Sequence, residues 1–216
     1  MNIYNRNNSI KDKLIQFILC ALVLATLGVL QYIIMRLLSD FGFELPQKTS
    51  RFNNVVDTKN ILKLIVLVVF VGPLIEELLF RSWLQFTKVG FMIFFAVVIY
   101  LGFKHIRYDY CLLSLLILLN IWFVFYKSKR LKKIKELICF LPNNIKLSFL
   151  VLSSLLFGFS HLYNYQEISM IVLVICIIKV LAGFVLGYLR IKSGLIWSIA
   201  LHVLINFIPI SFLILR

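Results

Sequence analysis

Val71-Gly72-Pro73-Leu74-Ile75-Glu76-Glu77-Leu78-Leu79-Phe80-Arg81 sets two carboxylates and a guanidinium inside an otherwise apolar run. An ionisable side chain at mid-depth in a bilayer costs on the order of 3 kcal/mol or more, so a chain that keeps three together there needs them. On an α-helix Glu77 and Arg81 are four residues apart and share a face, with the acid preceding the base in the more favourable order. Glu76 projects about 100° away from that pair, free to point into a cavity while its neighbour is neutralised. Pro73 suits the first turn of a helix and Gly72 allows a break before it. The stretch therefore offers one paired carboxylate and one spare.

The flanking sequence says what surrounds these charges. The 216 residues are 62% hydrophobic with a mean hydropathy of +0.98, well above the roughly 45–50% apolar share of soluble domains, so the chain is expected to be an integral membrane protein. The first apolar segment, Leu14 to Leu38, is too long for a signal-peptide core and lacks a small-residue cleavage site; it reads as an uncleaved transmembrane helix. A net charge of +14 would point to nucleic acid in a soluble protein. Here the basic residues stand mainly between apolar runs, where they set topology and meet anionic lipid, and no nucleic-acid partner is expected. Cys20, Cys111, Cys139 and Cys176 have no metal-binding spacing and are given no role.

Working outward, a loop from Ser39 to Asn60 leads into Ile61 to about Phe86, which carries the charged stretch. Further spans are expected at Val89 to Phe103, Cys111 to Tyr126, Leu147 to Tyr163, Ile168 to Leu189 and Gly194 to Leu215, an all-α polytopic bundle of about seven spans. Lys127 to Lys146 holds seven Lys and Arg against Glu136, which places it in the cytoplasm by the positive-inside rule. The N-terminus is then cytoplasmic too, and inside segments collect thirteen of the 23 basic residues. No repeat or soluble domain interrupts this pattern, so residues 1–216 are read as one membrane domain. Gly183 and Gly187 form a Gly-x-x-x-Gly suited to close helix packing, and Lys179 either pairs inside the bundle or lies along a tilted helix.

Of the three histidines, His105 stands in a polar turn beside Lys104, Arg107 and Asp109 and reads as solvated, whereas His161 and His202 lie in apolar segments. Phe157 and His161 are spaced i, i+4, so the ring can wall one side of the imidazole; His202 and Asn206 repeat the spacing. Such polar side chains on apolar helices need a partner or a wet cavity. Glu77, Arg81, His161, His202 and Asn206 can each be polar glue between helices. Together with Glu76, they are also the parts needed to activate a water and stabilise an oxyanion. Zinc is an alternative, with Glu76, His161 and His202 as three ligands, although the chain has no His-Glu-x-x-His helix.

Glu76-Glu77-x-x-x-Arg81, Phe157-x-x-x-His161 and His202-x-x-x-Asn206 stand in the order of the three motifs of the CAAX prenyl protease and bacteriocin-processing family, which the chain resembles from about Gly72 to Phe207. The resemblance implies an intramembrane glutamic endopeptidase without a metal cofactor. In it Glu76 and His161 would activate water, His202 and Asn206 would form the oxyanion hole, and Glu77, Arg81 and Phe157 would support them. One departure stands out: residues 89–126 read as an inserted helical pair within the motif-bearing core, 72–207. Two added spans preserve the direction of the motif helices but alter the entrance. In this topology Glu76 and His202 fall near the midplane and His161 toward the outer half, so one shared site requires broken or tilted helices.

The resemblance implies a peptide or protein substrate at the lipid bilayer: a prenylated CAAX-like tail, the leader of a secreted peptide, or another membrane substrate. The expected location is a bacterial plasma membrane. The rival reading is a non-catalytic membrane protein, such as a bacteriocin self-immunity factor or a scaffold; the intact motifs favour the enzyme.

Overall fold

The computed structural model describes residues 9–47, 49, 61–85, 90, 92–94, 96–97 and 143–214, and every regular element among them is helical. Helix α1, Ile10–Asp40, opens on a capping box: the Ser9 hydroxyl accepts from the Asp12 N–H at 3.2 Å, and the Asp12 carboxylate accepts from the Ser9 N–H at 3.0 Å. Its 31 residues span about 46 Å at 1.5 Å per residue, more than the roughly 30 Å hydrocarbon core. Only Cys20 and Leu24 are buried along it, so most of its apolar surface is left for lipid.

A short helix α2, Ile61–Leu64, continues into a π-helical stretch, Ile65–Val71, and then helix α3, Gly72–Arg81, with a 3₁₀ turn at Ser82–Gln85. The break expected at Gly72-Pro73 is therefore a change of helix type, since Val71 keeps helical backbone angles. Proline has no N–H to give, and the wider π turn ends where it stands at the start of α3. Helices α4 (Asn143–Ser160), α5 (Met170–Ser193) and α6 (Leu195–Ile214) complete the described fold. A 3₁₀ turn, His161–Asn164, follows α4 directly, so His161 stands at the end of the helix.

Among the described residues three helical segments are long and apolar enough to cross a membrane: Ile10–Asp40, Leu147–Asn164 and Met170–Ser193; Leu195–Ser211 is a shorter apolar helix. The chain is an integral membrane protein whose described elements are all helical. The expected span at Cys111 to Tyr126, most of that at Val89 to Phe103, and the basic segment up to Lys146 apart from its last few backbone positions lie outside the described residues, as do His105, Cys111 and Cys139. Cys20 and Cys176 are buried and unpaired.

Helix α5 is the centre, packed against α4, α1 and α6. Lipid gives apolar helices no hydrophobic reason to associate, so close backbone approach must do it. A Cβ on Gly183 would come within 2.8 Å of the Phe157 ring, which makes packing the role of Gly183 in the Gly-x-x-x-Gly pair. Gly158 answers it from α4, where a Cβ would stand 2.6 Å from the Val180 nitrogen. These contacts set the register that brings the end of α4 alongside the middle of α5. Gly194, at φ +110°, makes the turn from α5 into α6 in a conformation L side chains rarely adopt. On the far side of α5, Cys20 and Leu24 of α1 pack with Leu186, Leu189 and Leu201, and the Phe17 ring meets Trp197 edge-on at 5.7 Å.

Candidate active site

The i, i+4 spacing on α3 does what the sequence implies: Arg81 Nη1 lies 2.8 Å from Glu77 Oε1, and both side chains are fully buried. No other hydrogen-bond acceptor reaches Arg81 Nε or Nη2 among the described residues. The guanidinium stacks instead on the Phe157 ring, 4.1 Å from its centroid, so its charge is met by one carboxylate and one aromatic face. Arg190 of α5 closes the end of α3, its Nε donating to the Arg81 carbonyl at 3.2 Å and its Nη2 to the Ser82 carbonyl at 3.4 Å. The Ser153 hydroxyl adds a bond from α4 to the Phe80 carbonyl at 2.6 Å. These three links fix α3 against α4 and α5.

Glu77 is the hub. Besides Arg81 it accepts from His202 Nδ1, 3.0 Å from Oε1, and from the Ser198 hydroxyl, 2.5 Å from Oε2. Glu76 is different in kind: its side chain is 34% exposed and its nearest basic contact is His202 Nε2, 3.5 Å from Oε2. His202 thus bridges the neighbouring carboxylates, one ring nitrogen to each.

Phe157 joins the two histidines. Its ring centroid lies 4.9 Å from that of His161 and 5.7 Å from that of His202, both near edge-on, with Phe80 at 5.7 Å on another side. His161 Nδ1 sits 2.9 Å from the Phe157 carbonyl. A carbonyl only accepts, so that nitrogen carries the hydrogen and Nε2 is left as a proton acceptor in the neutral ring. The turn is held from beyond by a β-bridge in which the Thr49 N–H donates to the Asn164 carbonyl at 2.9 Å and the Gln166 N–H to the Gln47 carbonyl at 3.1 Å. α4 stops at Ser160 and tightens into the 3₁₀ turn that carries His161, which meets the Phe157 ring one turn back.

Asn206, one turn beyond His202 on α6, donates from Nδ2 to the Val68 carbonyl at 3.1 Å. A π turn leaves carbonyls out of the usual ladder, and Asn206 satisfies one, keeping one amide hydrogen for another acceptor. Lys179 of α5 is half-buried, and its ammonium interacts electrostatically with the Glu76 carboxylate and the Cys176 thiol. Among the described residues no three His, Cys, Asp or Glu side chains are grouped as ligands of a metal ion would be.

Sequence reasoning missed Ser198, Arg190 and Ser153. Ser198 left a signal, since Ser198, His202 and Asn206 fall at four-residue steps along one face of α6.

Fold and site together define a helical membrane protein with a cluster of carboxylate, imidazole and amide groups drawn from α3, α4 and α6. A family model described as type II CAAX prenyl endopeptidase, Rce1-like, matches residues 58–208, and the chain belongs to that family. None of the curated proteins and none of the solved structures compared with the chain matches it.

Proposed function

We propose that the protein is an intramembrane endopeptidase of the glutamic type. One observation carries this beyond family membership: of two adjacent glutamates, Glu77 is fully buried against Arg81, His202 and Ser198, while Glu76 stays partly open, 3.5 Å from His202 Nε2 and within electrostatic reach of His161. Glu76 takes a proton from water, assisted by the free Nε2 of His161, and the resulting hydroxide attacks the scissile carbonyl. His202 Nε2, when protonated, and the second amide hydrogen of Asn206 donate to the oxyanion that forms. The proton held by Glu76 passes to the leaving amine as the C–N bond breaks. Glu77, Arg81 and Phe157 hold the geometry. The substrate is a membrane-associated peptide, either a prenylated CAAX-like tail or the leader of a secreted peptide such as a bacteriocin, in a bacterial plasma membrane with the N-terminus in the cytoplasm.

The test is purified protein in bilayers, incubated with prenylated and unprenylated CAAX peptides and with leader-bearing peptides, the products read by mass spectrometry. Cleavage that 1,10-phenanthroline leaves unchanged and His161→Ala removes is the expected result. Zinc-restorable, chelator-sensitive cleavage would overturn the glutamic mechanism, and no cleavage of any peptide would favour the immunity or scaffold reading.

A further inference from the structure

Ser198 is fully buried on α6, one turn before His202, and belongs to none of the three motifs. Its hydroxyl has one hydrogen and two oxygens in reach, Glu77 Oε2 at 2.5 Å and the Leu186 carbonyl at 3.0 Å. Oxygens 2.5 Å apart repel unless a proton lies between them, and a bond to an ionised acceptor is the stronger and shorter one, so the hydrogen goes to Glu77. Both carboxylate oxygens are then committed, Oε1 to Arg81 and His202, Oε2 to Ser198. The last torsion of a glutamate is broad and roughly two-fold, and donors on both oxygens are what stop it turning. The plane of Glu77 in turn decides whether His202 Nδ1 finds its acceptor.

We propose that Ser198 is a positioning residue: by fixing the plane of Glu77 it keeps the His202 hydrogen on Nδ1 and turns Nε2 toward Glu76. A carboxylate that orients a histidine through one ring nitrogen so that the other can work is a general device. The effect on turnover rests on the peptidase reading; the tautomer does not.

The chain has three histidines, so ¹⁵N-histidine labelling resolves the ring of each. The control is Ser154→Ala, which removes another buried hydroxyl, one bonded within its own helix to the Leu150 carbonyl at 2.8 Å. Wild type and Ser154→Ala should show His202 protonated at Nδ1, while Ser198→Ala should show a mixture of Nδ1–H and Nε2–H rings. The ring that serves the oxyanion is the imidazolium, anchored by Nδ1–H on Glu77 and donating from Nε2, so loss of the anchor should lower kcat on the order of 10-fold for Ser198→Ala in the same samples with KM unchanged, the size of one hydrogen bond to a charged group. Ser198→Cys fills the same space with a weak donor and gives the same reading should the alanine variant not fold. An unaltered His202 tautomer in a folded Ser198 variant overturns the proposal, whatever the activity. A wild type that cleaves no peptide, with the tautomer still shifting in Ser198→Ala, supports the placement of Ser198 and removes the peptidase reading.

Discussion

Glu76 and Glu77 are joined by one peptide bond and stand in opposite environments. Around Glu77 the protein is closed: no exposed surface, a guanidinium, an imidazole and a hydroxyl on its two oxygens. Around Glu76 it is open, with about a third of the side chain accessible and one imidazole, His202, in contact. A carboxylate whose two oxygens already hold donors has no free direction for a water; one with an open oxygen does. The 100° step between adjacent helical residues is enough to set one carboxylate among donors and the other at an opening.

The largest effect should come from breaking the closed side. Glu77→Gln keeps the shape and an acceptor but removes the carboxylate charge paired with Arg81, and breaking a buried ion pair costs roughly 3–5 kcal/mol. Thermal unfolding in detergent should show a clear drop, with activity lost in parallel. Unchanged melting would mean that Arg81 finds another acceptor and that the closed side is not closed.

On the open side the effects should be kinetic. His202→Ala and Asn206→Ala should each lower kcat by on the order of 10²–10³ with KM little changed, the usual cost of one oxyanion donor. Asn206→Ala should also lose some stability, since it exposes the Val68 carbonyl of the π turn. If KM rises instead while kcat holds, these residues bind substrate and do not stabilise the transition state.

Smallest of all should be the response to a probe in the basic segment Lys127 to Lys146. Cysteine at position 128, replacing Ser128 in a background without the four native cysteines, should resist a membrane-impermeant thiol reagent in whole cells and react after lysis, with activity unchanged. Labelling of intact cells would invert the proposed topology and the face to which the Glu76 side opens.

How much of this was legible in the sequence follows from the range of each interaction. The Glu77–Arg81 pair and the Phe157–His161 stack are i, i+4 contacts, written into spacing alone. The helical membrane class followed from composition. The bridge from His202 to both glutamates and Arg190 on the end of α3 join helices far apart in the chain, and nothing local announces them. The π turn is visible in the sequence only as a Gly-Pro that allows a break, because proline marks where a ladder changes without saying how. The apolar residues around His161 mark the segment it lies in but not the change to a 3₁₀ turn at its position, which has no apolar signature.

The division of labour between the two glutamates is tested most directly by Glu76→Gln, with peptide cleavage and thermal unfolding measured on one preparation. The amide preserves the shape of a half-exposed side chain but cannot take a proton from water. The account predicts no cleavage above background and an unfolding midpoint equal to that of the wild type. Cleavage at the wild-type rate, or a midpoint lowered as far as that of Glu77→Gln, would contradict it.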